Sequence, residues 1–400
     1  MADHDVVIAG GGPAGMMAGF LFARAGVKTL VLEKHGDFLR DFRGDTVHPS
    51  TMEILHELGL LERFLERPHQ RLDRAELRMA GRTWRIGDLS HLRTPAPFIA
   101  MMPQWDFLDF LRGVAETLPT FALETEAPVA GFIEQQSRVV GVRMADGRER
   151  RARLTIAADG RGSLVRNLLP VEELGAPMDV FWFRVSKRSD QPGGLRGNVE
   201  RGRLLVMIDR GDYWQCAFLI PKGKAEDYSA RGIAAIRKEV AAAAPDLDLA
   251  ELDEISDLHL LTVTLDRLTR WHRPGLLAIG DAAHAMSPIG GIGINLAIQD
   301  AVAAANILAE PMAHGADIDG LLGQVQRRRM WPTRVIQAAQ KAAQNRVIGR
   351  LLETGPPITD APWIVKLLDR FPLLQRIPGR FIGLGIRREQ VRSPDAFGPS

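Results

Sequence analysis

The chain has 400 residues, 46% of them hydrophobic and 25% charged, enough apolar material for two or three substructures with cores of their own. Lysine and arginine (51) nearly balance aspartate and glutamate (49), leaving a formal charge of +2 and no long run of one sign, which argues against nucleic acid as a partner. The single cysteine, Cys216, excludes an intrachain disulfide, a CxxC redox pair and a cysteine-rich metal site.

The opening Met-Ala-Asp-His-Asp lacks the basic start of a signal peptide, and no apolar stretch reaches ~18 residues free of charge. A cytoplasmic protein without an integral membrane segment is therefore expected. Residues 5–9 (DVVIA) read as a buried parallel strand, residues 16–25 as a helix stopped by Gly26, and residues 29–33 (TLVLE) as the next strand. Together they form a βαβ unit. Residues 50–60 have helical spacing after Pro49. The texture then changes: residues 75–86 alternate around Gly81 as a hairpin would, residues 107–118 are helical, and residues 139–144 run into an Asp146-Gly147 turn. Residues 178–265 are rich in strands, interrupted by one helix over 230–244. Residues 276–279 form a second buried-looking strand, and the chain is mostly helical from Ile294. This order predicts a discontinuous nucleotide-binding domain interleaved with a β-rich one.

Three motifs carry the chemistry. The first is Gly10-x-Gly12-x-x-Gly15, placed after a strand and before a helix, with Glu33 eighteen residues beyond Gly15 at the end of the second strand. Gly10 permits the tight turn, Gly12 lets backbone approach a pyrophosphate, and Gly15 lets helix and strand pack closely. Glu33 suits an adenosine ribose and disfavours a 2′-phosphate; FAD and NAD are not distinguished at this point. The second motif, Ala158-Asp159-Gly160-Arg161-Gly162-Ser163, follows a strand ending near Ala157 and is, by itself, only a turn. The third is Gly280-Asp281-Ala282-Ala283-His284 followed by Pro288, Gly290, Gly291, Gly293 and Asn295. A buried strand delivers Asp281 to a sheet's carboxyl edge, where a carboxylate suits a polyol, and the glycines place backbone N–H groups at a helix start. For His284 a satisfied buried side chain is the favoured reading.

In this order and separation the motifs resemble the aromatic-hydroxylase family of FAD-dependent monooxygenases (group A), over about residues 1–345. The resemblance implies a mixed α/β fold: a Rossmann-like FAD-binding domain (1–70, 98–178, 265–345) interleaved with a β-sheet substrate domain (71–97, 179–264), and a C-terminal helical segment (346–400). It implies noncovalent FAD, with Gly10, Gly12, Gly15 and Glu33 on the ADP half and Asp281 at the ribityl chain. Pro288, Gly290, Gly291, Gly293 and Asn295 would surround the isoalloxazine ring, and Asp159-Gly160 would serve both FAD and NAD(P)H. Arg43 and Gln104 match further flavin contacts. NADPH or NADH would reduce the flavin transiently, and O2 would then yield a flavin C4a-hydroperoxide that attacks an electron-rich substrate carbon.

The chain departs from the family pattern in Arg43-Gly44-Asp45-Thr46-Val47-His48, where Asp45 and His48 lie close to the expected flavin. With Arg43 they form the candidate catalytic group. His48 could take a phenolic proton, or it could merely cap the helix at Pro49 while Asp45 pairs with Arg43. Only two tyrosines exist, Tyr213 and Tyr228, so a tyrosine relay would have to use one of them. Candidate substrate walls, from alternating strand positions, are Trp182, Arg184, Leu205, Met207, Trp214, Cys216 and Phe218. A small aromatic or hydrophobic substrate and a monomer or homodimer are expected. Residues 363–388 mix apolar and basic side chains, which allows either packing onto the FAD domain or contact with a membrane surface. The same fold serves flavin halogenases, isoprenoid reductases and non-catalytic binding proteins, and those readings stay open.

Overall fold

The architecture follows from where apolar strands end. In the computed structural model, which describes residues 3–38, 46–191, 193–200, 202–352 and 358–398, five parallel strands form the centre of the first sheet. Across it they run Leu276–Ala278, Glu149–Ala157, His4–Ala9, Thr29–Leu32 and Phe121–Glu124. Residues 6–9, 29–32, 154–157 and 276–278 of these strands are fully buried and, apart from Thr29 and Thr155, apolar, because helices cover them. The chain leaves His4–Ala9 toward one side, through the helix Pro13–Arg24 to Thr29–Leu32, and returns later on the other side. Strand order therefore reverses at His4–Ala9, and such a switch point opens a crevice at the carboxyl edge.

Two long helices cover this sheet. Ile292–Ala313 packs between Pro13–Arg24 and Asp319–Ala343. The segment Ile289–Ala313 is long and apolar enough to cross a membrane, yet 78% of its most apolar 18-residue stretch is buried inside the protein, as befits a core helix.

A second sheet has seven strands, in the order His259–Leu261, Met178–Ser186, Tyr213–Pro221, Arg203–Asp209, Leu195–Glu200, Arg74–Met79, Arg82–Asp88. The Arg74–Met79/Arg82–Asp88 hairpin turns at Gly81, which has φ +71°, and joins the sheet edge through Asn198–Arg78 and Val199–Met79 pairing. One face of this sheet is closed by the helix Ile233–Ala243.

Beyond residue 345, helices occupy Gly349–Leu352, Trp363–Arg370 and Pro372–Leu384, after which the described chain has no helix. The tail runs instead along the first sheet's helices: Ala396 N–H donates to Arg24 O (2.8 Å), and Asn306 Oδ1 accepts from Arg392 and Ser393 N–H. Pro372–Leu384 packs on Arg82–Asp88 and on the helix Pro49–Glu57, with Gly379 so near Asp88 that a Cβ would lie 1.9 Å from its carbonyl oxygen. Trp363, Ile364, Phe371, Leu373 and Ile377 remain exposed.

Candidate FAD and substrate site

All three motifs emerge on adjacent strands at one carboxyl edge. Gly10 N–H donates to Leu32 O, Ala158 N–H to Ala9 O and Ile279 N–H to Ala157 O, so Gly10, Glu33, Asp159 and Gly280 leave the sheet side by side. At Gly10 φ is +104°, and a Cβ would stand 2.4 Å from Ala158 O; at Gly15 a Cβ would stand 1.9 Å from Gly10 O. A side chain fits at neither position. Gly12 differs: it caps the helix Pro13–Arg24 with ordinary φ −72°, and a Cβ there meets nothing within 4 Å. The turn thus keeps open space in front of a helix N-terminus, where an anion is favoured. Glu33 is 8% exposed, with one carboxylate oxygen accepting from Gly11 N–H (2.9 Å) and the other from His35 N–H (3.1 Å). Those bonds aim it along the turn.

The second and third motifs are clamped together by arginines. Arg161 Nε donates to Asp281 Oδ2 (3.2 Å) and its Nη2 to Met286 O, while Arg166 bonds Asp266 Oδ1 and the carbonyl of Asp281, both at 2.8 Å. Asp281 stays about one-third exposed, available to a polyol. Burial pushes the Asp159 carboxyl above the usual range, partly offset by hydrogen bonds from Ser163 and Leu164, and its Oδ1 is buried with no partner among the described residues. Arg161 Nη1 is likewise unpartnered. A bound dinucleotide with hydroxyls and phosphates would satisfy such atoms. The donor set and the space before Gly12 fit FAD.

Pro288, Gly290 and Gly291 form a turn leading into the Ile292–Ala313 helix, whose first turn holds Gly293 and Asn295, with φ +76° at Gly290 and +62° at Gly291. A Cβ on Gly291 would lie 2.2 Å from Thr46 Oγ1, so the glycine admits Thr46 into contact. Asn295 is engaged by the protein itself: Oδ1 accepts from His48 N–H (2.9 Å) and Thr51 Oγ1 (2.8 Å), and Nδ2 donates to Thr46 O and Gly291 O. With both lone pairs and both hydrogens used, it ties the 46–51 segment to the glycine turn. Gln104 starts the helix Gln104–Ala115 half-buried, its amide unengaged among the described residues.

Arg43 and Asp45 lie outside the described residues. His48 is fully buried at the N-cap of Pro49–Glu57, but its side chain makes no cap bond. Its Nδ1 meets Ile382 O at 2.8 Å; since a carbonyl only accepts, Nδ1 carries the hydrogen and Nε2 keeps a buried lone pair with no partner. Burial lowers the His48 pKa to about 4 against a small upward pull from that bond. His48 is therefore neutral at ordinary pH.

Sequence reasoning missed a buried polar network behind the third motif. Asp300, wholly buried, accepts from His284 Nε2 (2.5 Å), Arg329 Nε (2.9 Å) and Gly280 N–H (3.1 Å). Burial opposes its ionisation, yet His284 and Arg329 outweigh it and hold the carboxyl below the usual range. Arg329 also reaches Glu389 in the tail. Asp300 sits among the buried residues of a helix rich in Ala, Ile and Leu, and an acid within such an apolar run was the signal available.

The structure divides the candidate substrate walls between two faces. Phe218 pairs with Phe181 and Leu205, and Cys216 with Phe183 and Met207. With Trp214 these side chains form a core closed by Ile236 and Val240, so Leu205, Met207, Trp214, Cys216 and Phe218 face away from the first sheet's crevice. Strand alternation marks two faces but not which one a helix will cover. Trp182, opposite Ala217, and Arg184, opposite Gln215, lie on the other face with Val206 and Leu219. There Trp182, Val206 and Leu219 join a cluster that includes Ile289 of the glycine turn.

A glycine-cradled carboxyl edge with an apolar sheet face set against its last turn defines an FAD-binding flavoprotein of mixed α/β fold. The chain belongs to the family described as FAD binding domain, whose model matches residues 3–339. It is 32% identical to 6-methylpretetramide 4-monooxygenase of Streptomyces rimosus over 98% of this chain and 95% of that protein. Rifampicin monooxygenase of Streptomyces venezuelae is 29% identical over 74% of this chain, which spans 62% of that protein's length. In structure it is similar to p-nitrophenol 4-monooxygenase of Pseudomonas putida, with a TM-score of 0.78 at 17% identity, covering 97% of this chain and 99% of that one. The protein is an FAD-dependent monooxygenase.

Proposed function

We propose that the protein hydroxylates a polycyclic aromatic substrate held between the glycine turn at 288–291 and the face of the seven-stranded sheet opposite the helix Ile233–Ala243, with NADH or NADPH as hydride donor. The observation that carries this reading is the shared cluster of Ile289 with Trp182, Val206 and Leu219, which sets a broad apolar wall beside the turn expected to hold the flavin ring. The relatives named for 6-methylpretetramide and rifampicin support a large aromatic substrate.

FAD supplies the redox and oxygen-activating chemistry when bound. This chain's residues supply the rest. The Gly10–Gly15 turn and helix N-terminus would hold the pyrophosphate, Glu33, fixed by Gly11 N–H, would accept from the ribose, and Asp281, fixed by Arg161, would accept from the ribityl chain. The backbone donors of the glycine turn favour negative charge on the ring system, and the apolar wall excludes water. His48, neutral with its Nε2 lone pair unpartnered, is suited to accept a hydrogen bond from a substrate hydroxyl; a pKa of about 4 makes it a poor store for a phenolic proton. Tyr228 packs edge-on against Phe218 on the far face of the sheet and takes no part.

The test is direct. Purified protein should be yellow, release FAD on heating, and oxidise NAD(P)H faster with polycyclic phenols while adding one oxygen atom to them by mass. Colourless protein that gains no thermal stability from FAD defeats the proposal, as does NAD(P)H oxidation yielding only H2O2 with every such phenol.

A further inference from the structure

A second cationic site lies beyond the FAD cradle. The helix Pro372–Leu384 and the loop after Arg82–Asp88 border a half-open cleft of about 530 Å³ lined by His91, Arg93, Arg376, Arg380 and Arg388, with Leu92 and Leu384. Arg388 is neutralised by Glu53 at 2.8 Å. Arg93, Arg376 and Arg380 have no ion-pair or hydrogen-bond partner among the described residues, and His91 Nδ1 is buried without one. Three uncompensated guanidinium groups on one concavity repel each other, and the arrangement becomes favourable when an anion bridges them. The volume suits part of a small ligand.

The proposed reaction needs such an anion. A nicotinamide dinucleotide carries a pyrophosphate, and the described residues hold one glycine-turn dinucleotide fold, the one fitted to FAD. The arginine-bearing helix also reaches the flavin turn: Ile382 O receives the His48 ring, Gly383 packs against Pro49, and His48 N–H and Thr46 bind Asn295 and Gly291. At the helical rise, Arg380 and Arg376 stand only about 3 and 9 Å along the axis from Ile382.

We infer that Arg93, Arg376 and Arg380 form the docking site for the pyrophosphate of the nicotinamide hydride donor. This rests on the monooxygenase reading above. The helix would then grip the donor from one side while its Ile382 carbonyl fixes His48 beside the glycine turn.

The test uses FAD-loaded protein and the unreactive oxidised dinucleotides NAD+ and NADP+, titrated by calorimetry, with inorganic pyrophosphate as competitor. The double variant Arg376→Ala/Arg380→Ala should bind both dinucleotides about tenfold or more weakly, with Arg376→Lys/Arg380→Lys intermediate. FAD content and melting temperature should be unchanged, and pyrophosphate should compete only in the wild type. In stopped-flow reduction the apparent Kd for the donor should rise while the limiting rate of flavin reduction stays. Undiminished binding of both dinucleotides in the alanine variant overturns the assignment, even if the KM of an anionic organic substrate rises. A loss confined to NADP+ also overturns it, since that would place the 2′-phosphate in the cleft. Wild-type protein whose flavin neither NADH nor NADPH reduces overturns the monooxygenase reading itself, an outcome distinct from insensitivity of the variants.

Discussion

The FAD cradle and the substrate wall are built by different means. The cradle is mostly backbone: a turn that admits no Cβ at Gly10 or Gly15, open space before Gly12, and carboxylates fixed by N–H groups and arginines. The wall is wholly side chain, one face of a sheet whose other face is equally apolar. A site made by backbone exclusion permits few residues at each position, whereas a wall made by packing accepts many residues of suitable volume.

The sharpest way to break the comparison lies within the cradle, because its three glycines do different work. Gly15→Ala would put a Cβ 1.9 Å from a backbone oxygen that cannot yield, and it should destabilise the apoprotein by more than about 4 kcal/mol, seen as lost soluble, cooperatively melting protein. The Cβ of Gly12→Val meets no atom within 4 Å and the backbone there is ordinary, so the apoprotein should melt as the wild type does while FAD binding is abolished. A Gly12→Val protein that still copurifies with FAD would show that the pyrophosphate does not approach this turn.

Next in size is the acid sensitivity of the junction between cradle and wall. His48 has a folded pKa of about 4, below its ordinary 6.5, so as pH falls the unfolded chain takes up the proton first. Its contribution is complete above pH 6.5 and is lost as pH falls toward 4, about 3 kcal/mol in all. His48→Asn, which retains a donor for Ile382 O, should flatten the wild-type fall in urea-denaturation stability over that window by about this amount. Parallel profiles for the two proteins would mean that His48 is hydrated and titrates normally.

This division explains what could be read in the sequence. The βαβ opening, the glycine turn with Glu33 and the strand leading to Asp281 were legible because strand ends and glycines encode backbone geometry locally. The work of Arg161 and Arg166 in clamping Asp281 was not, because the partners lie 120 and 115 residues apart and meet only when Glu149–Ala157 pairs with Leu276–Ala278. The tail was expected to be helical, but its last segment is extended, held by Asn306, Glu57 and Arg24 rather than by its own periodicity. In the sheet the alternation was correct, yet which face received the helix Ile233–Ala243 was a tertiary choice, so five of the seven wall candidates fell into the covered core.

Within the cradle, Asp281 gives a smaller and graded effect. Asp281→Ala removes the acceptor proposed for the ribityl chain and should weaken FAD binding by roughly 1.5–3 kcal/mol without unfolding the protein. It also strips Arg161 of its carboxylate partner, so Arg161→Met in the same background reports whether the loss belongs to the cofactor or to the clamp. If the double variant binds FAD no worse than Asp281→Ala, the carboxylate acts directly. Unchanged FAD affinity in the single variant would leave Asp281 a purely structural partner of Arg161.

The smallest effects test the wall, through neighbours that face opposite ways. Cys216 and Ala217 are adjacent in one strand; Cys216 is buried under the helix Ile233–Ala243, and Ala217, also buried, lies between Trp182 and Val206 on the opposite face. Burial pushes the Cys216 thiol pKa upward, so it stays a neutral, unreactive packing group. Cys216→Ala should cost about 1 kcal/mol of stability for the lost volume and leave substrate KM and the coupling of NAD(P)H oxidation to hydroxylation unchanged. Ala217→Val adds two methyl groups to the proposed wall. It should alter stability by a similar amount, about 1 kcal/mol, yet raise substrate KM and divert turnover toward H2O2 as the aromatic plane is displaced. Comparable stability losses with opposite kinetic outcomes would establish that one face of the sheet binds and the other only packs. If Cys216→Ala shifts KM and Ala217→Val does not, substrate enters beneath the helix, and the covered face is the wall after all.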